Sequence, residues 1–167
     1  QPSGWKNGWS YGNPVYWGIN ETNFYEENGI QYVLDTKTKE VTITNYVGND
    51  TYLIIRETIT LNDNSYSVTS IGEEAFSGCI SLKSIVIPNS VTSIGQRAFE
   101  SNQLTEVKLS ENLKTIREGM FAYNRLVDIN IPDSVTVIEG SAFVYNNLKK
   151  IKLSDNLTII GKNAFDN

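Results

Sequence analysis

The stretch "IGQRAFESNQLTEVKLSENLKT", Ile94 to Thr115, places an alanine-phenylalanine pair near its start and an apolar-polar alternation ending at Leu109. Upstream, "IGEEAFSGCISLKSIVIPNSVTS" (Ile71 to Ser93) has the same order. Downstream come "IREGMFAYNRLVDINIPDSVTV" (Ile116 to Val137), "IEGSAFVYNNLKKIKLSDNLTI" (Ile138 to Ile159) and a fifth start, "IGKNAFDN". The phenylalanines are Phe76, Phe99, Phe121, Phe143 and Phe165, at spacings of 23, 22, 22 and 22 residues. A period held this closely over four intervals is the signature of a stacked repeat architecture.

Each unit contains L-x-x-(I/V)-x-(I/L), at Leu82–Ile87, Leu104–Leu109, Leu126–Ile131 and Leu148–Leu153. Alternation over the last four residues is the period of a strand with one buried face. The A-F segment is too short for a lasting helix and fits a turn or one helical or 3₁₀ turn. A second short extended piece is expected around "VTSI". No such unit can bury its own apolar face, so neighbours must stack in register, giving parallel sheets along a solenoid. Pro88 and Pro132 follow main strands, where a missing N–H ends the ladder, and Ser110 and Ser154 hold the same place in the other units.

Composition narrows the function. The chain has 167 residues, a net charge of −5, one cysteine and no histidine. Without histidine, Ser-His-Asp and Cys-His arrangements and the commonest zinc ligand are excluded, so no enzyme, catalytic residue, metal or cofactor is expected. A negative chain does not attract phosphate backbones, so nucleic acid is not an expected partner. No run approaches the roughly 18 apolar residues needed to span a bilayer, so membrane insertion is not expected. The start, "QPSGWKNGWS", lacks the apolar core of a signal peptide, consistent with a mature or trimmed form.

The pattern L-x-x-I-x-I-P-x-x-V-x-x-I-G-x-x-A-F-x-x-C resembles the BspA-like leucine-rich repeat, and "LKSIVIPNSVTSIGQRAFESN" follows it almost throughout. The segment "YVLDTKTKEVTITNYVGNDTYLIIRETI" is similar to the strand-rich lead-in of such arrays, with Arg56 where proline is usual. The resemblance spans residues 30–167. It implies a mainly β, right-handed leucine-rich-repeat solenoid with a β-rich N-terminal cap, on an extracellular or cell-surface protein, bacterial or protozoal, used in adhesion or ligand binding. It implies no catalytic residues.

The chain then divides into an aromatic segment, 1–29, a β-rich lead-in, 30–69, and repeats, 70–167. Within the repeats a fixed offset becomes a column of side chains. Phe76, Phe99, Phe121, Phe143 and Phe165 are expected to form a buried stack. Cys79 lies three residues after Phe76, where Asn102, Asn124 and Asn146 follow their own phenylalanines. Asn can bond backbone groups left unpaired at a tight bend, and a buried Cys fills the same space with a weak donor, so Cys79 reads as structural. Arg117 and Glu139 replace the glycines at 72, 95 and 161, so that position does not demand positive φ. Met120 replaces the small Ala75, Ala98, Ala142 and Ala164.

The residues the repeat leaves free are the outward positions of the main strands: Ser84 and Val86, Glu106 and Lys108, Asp128 and Asn130, Lys150 and Lys152. At about 4.8 Å per strand they make a face roughly 15–20 Å along the axis. It is either a recognition surface or a solvated sheet whose lysines discourage aggregation. Trp5, Trp9 and Trp17 either stack on sugar rings or close the first coil. Ile55 to Ile71 is nine residues longer than Ile87 to Ile94, so a protruding loop or hairpin containing Asn62–Ser65 is expected. The chain stops inside a fifth unit, which implies a longer array or end-to-end self-association. The function expected is non-enzymatic binding of a host or neighbouring-cell protein or glycan. The alternatives are an architectural spacer and an accessory domain of a carbohydrate-active enzyme.

Overall fold

The computed structural model describes residues 23–167. Fourteen strands and no helix occur among them. β1 (Asn23–Glu27), β2 (Ile30–Asp35) and β3 (Glu40–Tyr46) run antiparallel in sequence, and β1 turns into β2 at Asn28-Gly29, both at positive φ. Phe24 and Tyr25 therefore stand in the lead-in sheet, Phe24 exposed and Tyr25 buried.

β4 (Tyr52–Ile54) precedes the hairpin of β5 (Thr58–Leu61) and β6 (Asn64–Ile71). Its two-residue turn, Asn62-Asp63, has φ of 48° and 59°, the left-handed pair that matches strand twist. The nine extra residues thus form the expected hairpin. β6 pairs parallel with β3, and from there the repeats begin.

The main strands are β7 (Ser84–Val86), β9 (Glu106–Lys108), β11 (Asp128–Asn130) and β13 (Lys150–Lys152). The short second pieces are β8 (Ser93–Ile94), β10 (Thr115–Ile116), β12 (Val137–Ile138) and β14 (Ile159–Ile160). Every pairing among them is parallel. The second strands form the ladder β10-β12-β14, while β8 pairs with β6. The main strands divide into β4-β7-β9 and β11-β13, so their sheet is interrupted between β9 and β11.

The A-F corners are turns without helical character. Two residues before each phenylalanine, Glu74, Arg97, Gly119, Ser141 and Asn163 all have φ between 52° and 61°. Two residues after it, Gly78, Ser101, Tyr123 and Tyr145 are also left-handed. Two such residues per corner break any run of helical dihedrals.

Inside, the rings stack at centroid distances of 5.2 Å (Phe76–Phe99), 5.3 Å (Phe99–Phe121), 5.4 Å (Phe121–Phe143) and 5.2 Å (Phe143–Phe165). The first four are fully buried, each worth about 3–5 kcal/mol against alanine. Phe165, with one ring neighbour, is half-buried. Tyr46 extends the column at 5.4 Å from Phe76, outside the repeat pattern. Met120 is accommodated with no exposure.

Candidate binding face

Parallel register fixes which side chains share the outer face of the main strands. Tyr52, Ser84 and Glu106 stand side by side, as do Ile54, Val86 and Lys108. Across the interruption, Asp128 pairs with Lys150 and Asn130 with Lys152. The alternate residues Leu53, Ile85 and Ile129 are buried. The six charged or amide positions from Glu106 to Lys152 are all exposed, whereas Ser84 and Val86 are half-buried. The face therefore consists of two short patches of ladder rather than one continuous sheet.

Two members of this face, Tyr52 and Ile54, lie outside the repeat units read from the sequence. Both are more than half exposed, at 54% and 56%. Their signal was present: Leu53 and Ile55 carry the same alternation as Ile85 and Ile87, but Asp50 stands where the other units have leucine. Polarity thus changes along the face, from Tyr52, Ile54 and Val86 at one end to Lys150 and Lys152 at the other. Among the described residues the ion pairs are Arg56–Glu27 and Arg117–Glu139, so Glu106, Lys108, Asp128, Lys150 and Lys152 keep their charges unpaired.

The bend behind the face is held by a second column. Asn102, Asn124 and Asn146 are buried, and each Nδ2 donates to the phenylalanine carbonyls of its own coil and the preceding one. Oδ1 of Asn124 accepts the Leu104 amide, and Oδ1 of Asn146 the Leu126 amide, both at 3.0 Å. Cys79 occupies the equivalent place with Sγ 3.9 Å from the Tyr46 carbonyl. It is half-buried rather than fully enclosed, because its unit carries one extra residue and Ile80 projects with 73% exposure. Burial pushes its thiol pKa up, which favours the unreactive neutral form.

Serine completes the coil-to-coil bonding at the strand ends. Ser110 Oγ donates to the Val91 carbonyl at 2.6 Å and Ser154 Oγ to the Val135 carbonyl at 2.7 Å. The same two hydroxyls accept the Asn112 and Asn156 amides. The glycine column has two solutions. A Cβ on Gly95 would press into the backbone of Glu73, so close backbone approach, not positive φ, holds glycine there. In the two units without it, Arg117 and Glu139 face each other as an ion pair at 4.0 Å.

Trp5, Trp9 and Trp17 lie outside the described residues. Among those described, no helix is long and apolar enough to cross a membrane, and no group of three or more Cys, Asp or Glu side chains gathers to hold a metal.

The model of the BspA type leucine rich repeat region matches residues 55–167, in six copies. Among solved structures, a leucine-rich repeat protein of Treponema pallidum is 27% identical with a TM-score of 0.71, the match covering 83% of this chain and 64% of that one. A leucine-rich repeat protein from Bacteroides capillosus is 30% identical with a TM-score of 0.62, over 83% of this chain and 98% of that one. The pneumococcal vaccine antigen PcpA is 25% identical with a TM-score of 0.69, over 84% of this chain and 40% of that one. The chain thus spans less than two thirds of the Treponema and pneumococcal proteins. No match is found among curated proteins.

Proposed function

The chain belongs to the family of the BspA type leucine-rich repeat, and on that premise we propose that it is a non-enzymatic binding module at the bacterial cell surface or outside the cell. Its relatives are leucine-rich repeat proteins, a non-enzymatic kind of family. In this reading the repeats form a right-handed solenoid, the lead-in sheet β1–β3 caps it, and the main strands present the contact surface to a protein or glycan.

The observation that carries the reading is the chemistry of the outer positions. Glu106, Lys108, Asp128, Asn130, Lys150 and Lys152 are exposed on short, rigid strands, and none of the charges is spent on an ion pair. A backbone already ordered by the ladder adds little to the entropy lost when a partner arrives, so the cost falls mainly on the side chains. The test is a binding screen against matrix proteins and glycans, repeated after sequential alanine substitution of Lys108, Asn130, Lys150 and Lys152. Loss of capture supports the face, and capture unchanged through the series removes it.

A spacer role is favoured if the chain captures nothing in that screen. Glycan turnover seen only with a longer protein would support the accessory-domain alternative, with Trp5, Trp9 and Trp17 as its stacking residues. End-to-end self-association draws on the last coil, where Ile151, Leu153, Ile159 and Ile160 are 38–55% exposed. Concentration-dependent sedimentation checks it.

A further inference from the structure

A groove of about 520 Å³ lies where the C-terminal ends of β4 and β7 meet the connection into the β5–β6 hairpin. It exists because the chain leaves β4 for the hairpin instead of turning directly into the next coil. Its apolar lining comes from Ile54, Val86 and Pro88. Ile54 is more than half exposed, although it sits in parallel register beside Val86. Arg56 and Lys108 both line the groove, and Glu57 is its acidic member.

Charge decides what could occupy it. The whole chain carries −5, yet among the described residues two cations and one carboxylate border this opening. Lys108 makes no ion pair among the described residues. Arg56 gives one nitrogen to Glu27 at 3.3 Å and remains 61% exposed, so its other donors stay open. A site with an aliphatic lining, an unpaired lysine and an arginine with donors left over selects an aliphatic side chain beside a carboxylate. Among the described residues the lining holds no aromatic ring on which a sugar could stack, which favours peptide over glycan.

We infer that this groove binds an acidic peptide segment, with an aliphatic residue against Ile54, Val86 and Pro88 and a flanking carboxylate reaching Arg56 and Lys108. The inference rests on the reading of the main-strand face as a contact surface, and narrows it to one end and one ligand class.

The probe is a fluorescein-labelled alternating Glu-Leu hexapeptide, followed by anisotropy with the full chain, beside Lys-Leu and Glu-Gly hexapeptides and a sulfated oligosaccharide. Saturable binding is expected for the Glu-Leu peptide, with the Lys-Leu and Glu-Gly peptides at least about tenfold weaker. Lys108→Glu and Ile54→Ser, both at exposed positions, should each weaken it about tenfold, and Lys114→Glu, exposed beside β10 and outside both the groove and the main-strand face, should leave it within about twofold. No saturable Glu-Leu binding, equal binding of the Lys-Leu peptide, preference for the oligosaccharide, or indifference to Lys108→Glu and Ile54→Ser would each overturn the groove. If the groove falls while substitutions at Asn130, Lys150 and Lys152 still abolish capture of a matrix protein, the face reading survives alone; if that capture also persists, both fall.

Discussion

The Leu82 amide donates to the Cys79 carbonyl at 2.8 Å, and one coil further on the buried Oδ1 of Asn102 has no partner. In the following units the corresponding leucine amides, of Leu104 and Leu126, reach the asparagine oxygens of Asn124 and Asn146. One extra residue at Ile80 is enough to redirect the bond, because it closes a tight turn before Leu82 can face the next coil. Asn124→Ala removes both donor and acceptor contacts, whereas Asn102→Ala removes donor contacts only. Asn124→Ala should cost about 1–3 kcal/mol, and Asn102→Ala about 1 kcal/mol less, in urea denaturation at matched slope.

The two solutions of the glycine column make a second expectation. Gly95→Ala drives a methyl against the backbone of Glu73, which cannot move without shifting the coil. A loss of roughly 1–3 kcal/mol is expected, as for overpacking in a core. At Gly78 nothing lies within 4 Å of an added Cβ, but φ is 69°, so Gly78→Ala should cost only about 1–2 kcal/mol through backbone strain. Thermal melts of both variants separate the two causes if Gly95→Ala also lowers the protection of neighbouring amides from exchange.

Alkaline pH should weaken the lead-in before the repeats. The Tyr46 hydroxyl donates to Asp50 Oδ2 at 2.5 Å, and burial together with that bond pushes its pKa up to about 12. Burial alone is the main cause of the rise to about 12 at Tyr32, with the Glu27 carboxylate adding to it. A raised pKa means the folded state favours the neutral phenol. That stability is fully present below the ordinary tyrosine pKa near 10 and is lost as pH rises through about 12. Phenolate absorbance should show a late-ionising class that shrinks in Tyr46→Phe.

Cys79 should be slow chemically. Its half-buried thiol, with a pKa raised by burial, should react with a water-soluble maleimide at least about tenfold more slowly at neutral pH than in urea-unfolded chain. Equal rates would show that the thiol stands open. Cys79→Asn should fold, and its amide should take over the contact with the Tyr46 carbonyl.

Much of this arrangement was legible because a repeat converts sequence offset into position. The phenylalanine column, the asparagine column, the second strands and the hairpin at Asn62-Asp63 all follow from the spacing of about 22 residues. The rest depended on departures from that period. Tyr46 joins the ring column and Ile54 the outer face, but both stand in the lead-in, where the hairpin changes the spacing and Asp50 replaces the leucine that opens the other units. The left-handed residues before the phenylalanines escaped because Glu74, Arg97 and Ser141 give no hint of positive φ. The interruption between β9 and β11 follows from backbone geometry that the alternation of Leu104–Leu109 and Leu126–Ile131 does not encode.

The main-strand face as the contact surface is tested most directly by comparing two multiple variants for affinity toward a captured ligand. One carries Lys108→Ala, Asn130→Ala, Lys150→Ala and Lys152→Ala; the other carries Tyr123→Ala and Tyr145→Ala, an exposed stacked pair on the corners. The face variant should bind at least about tenfold more weakly while the corner variant stays within about twofold. A face variant that binds as the parent does, or a corner variant that alone loses affinity, would contradict it.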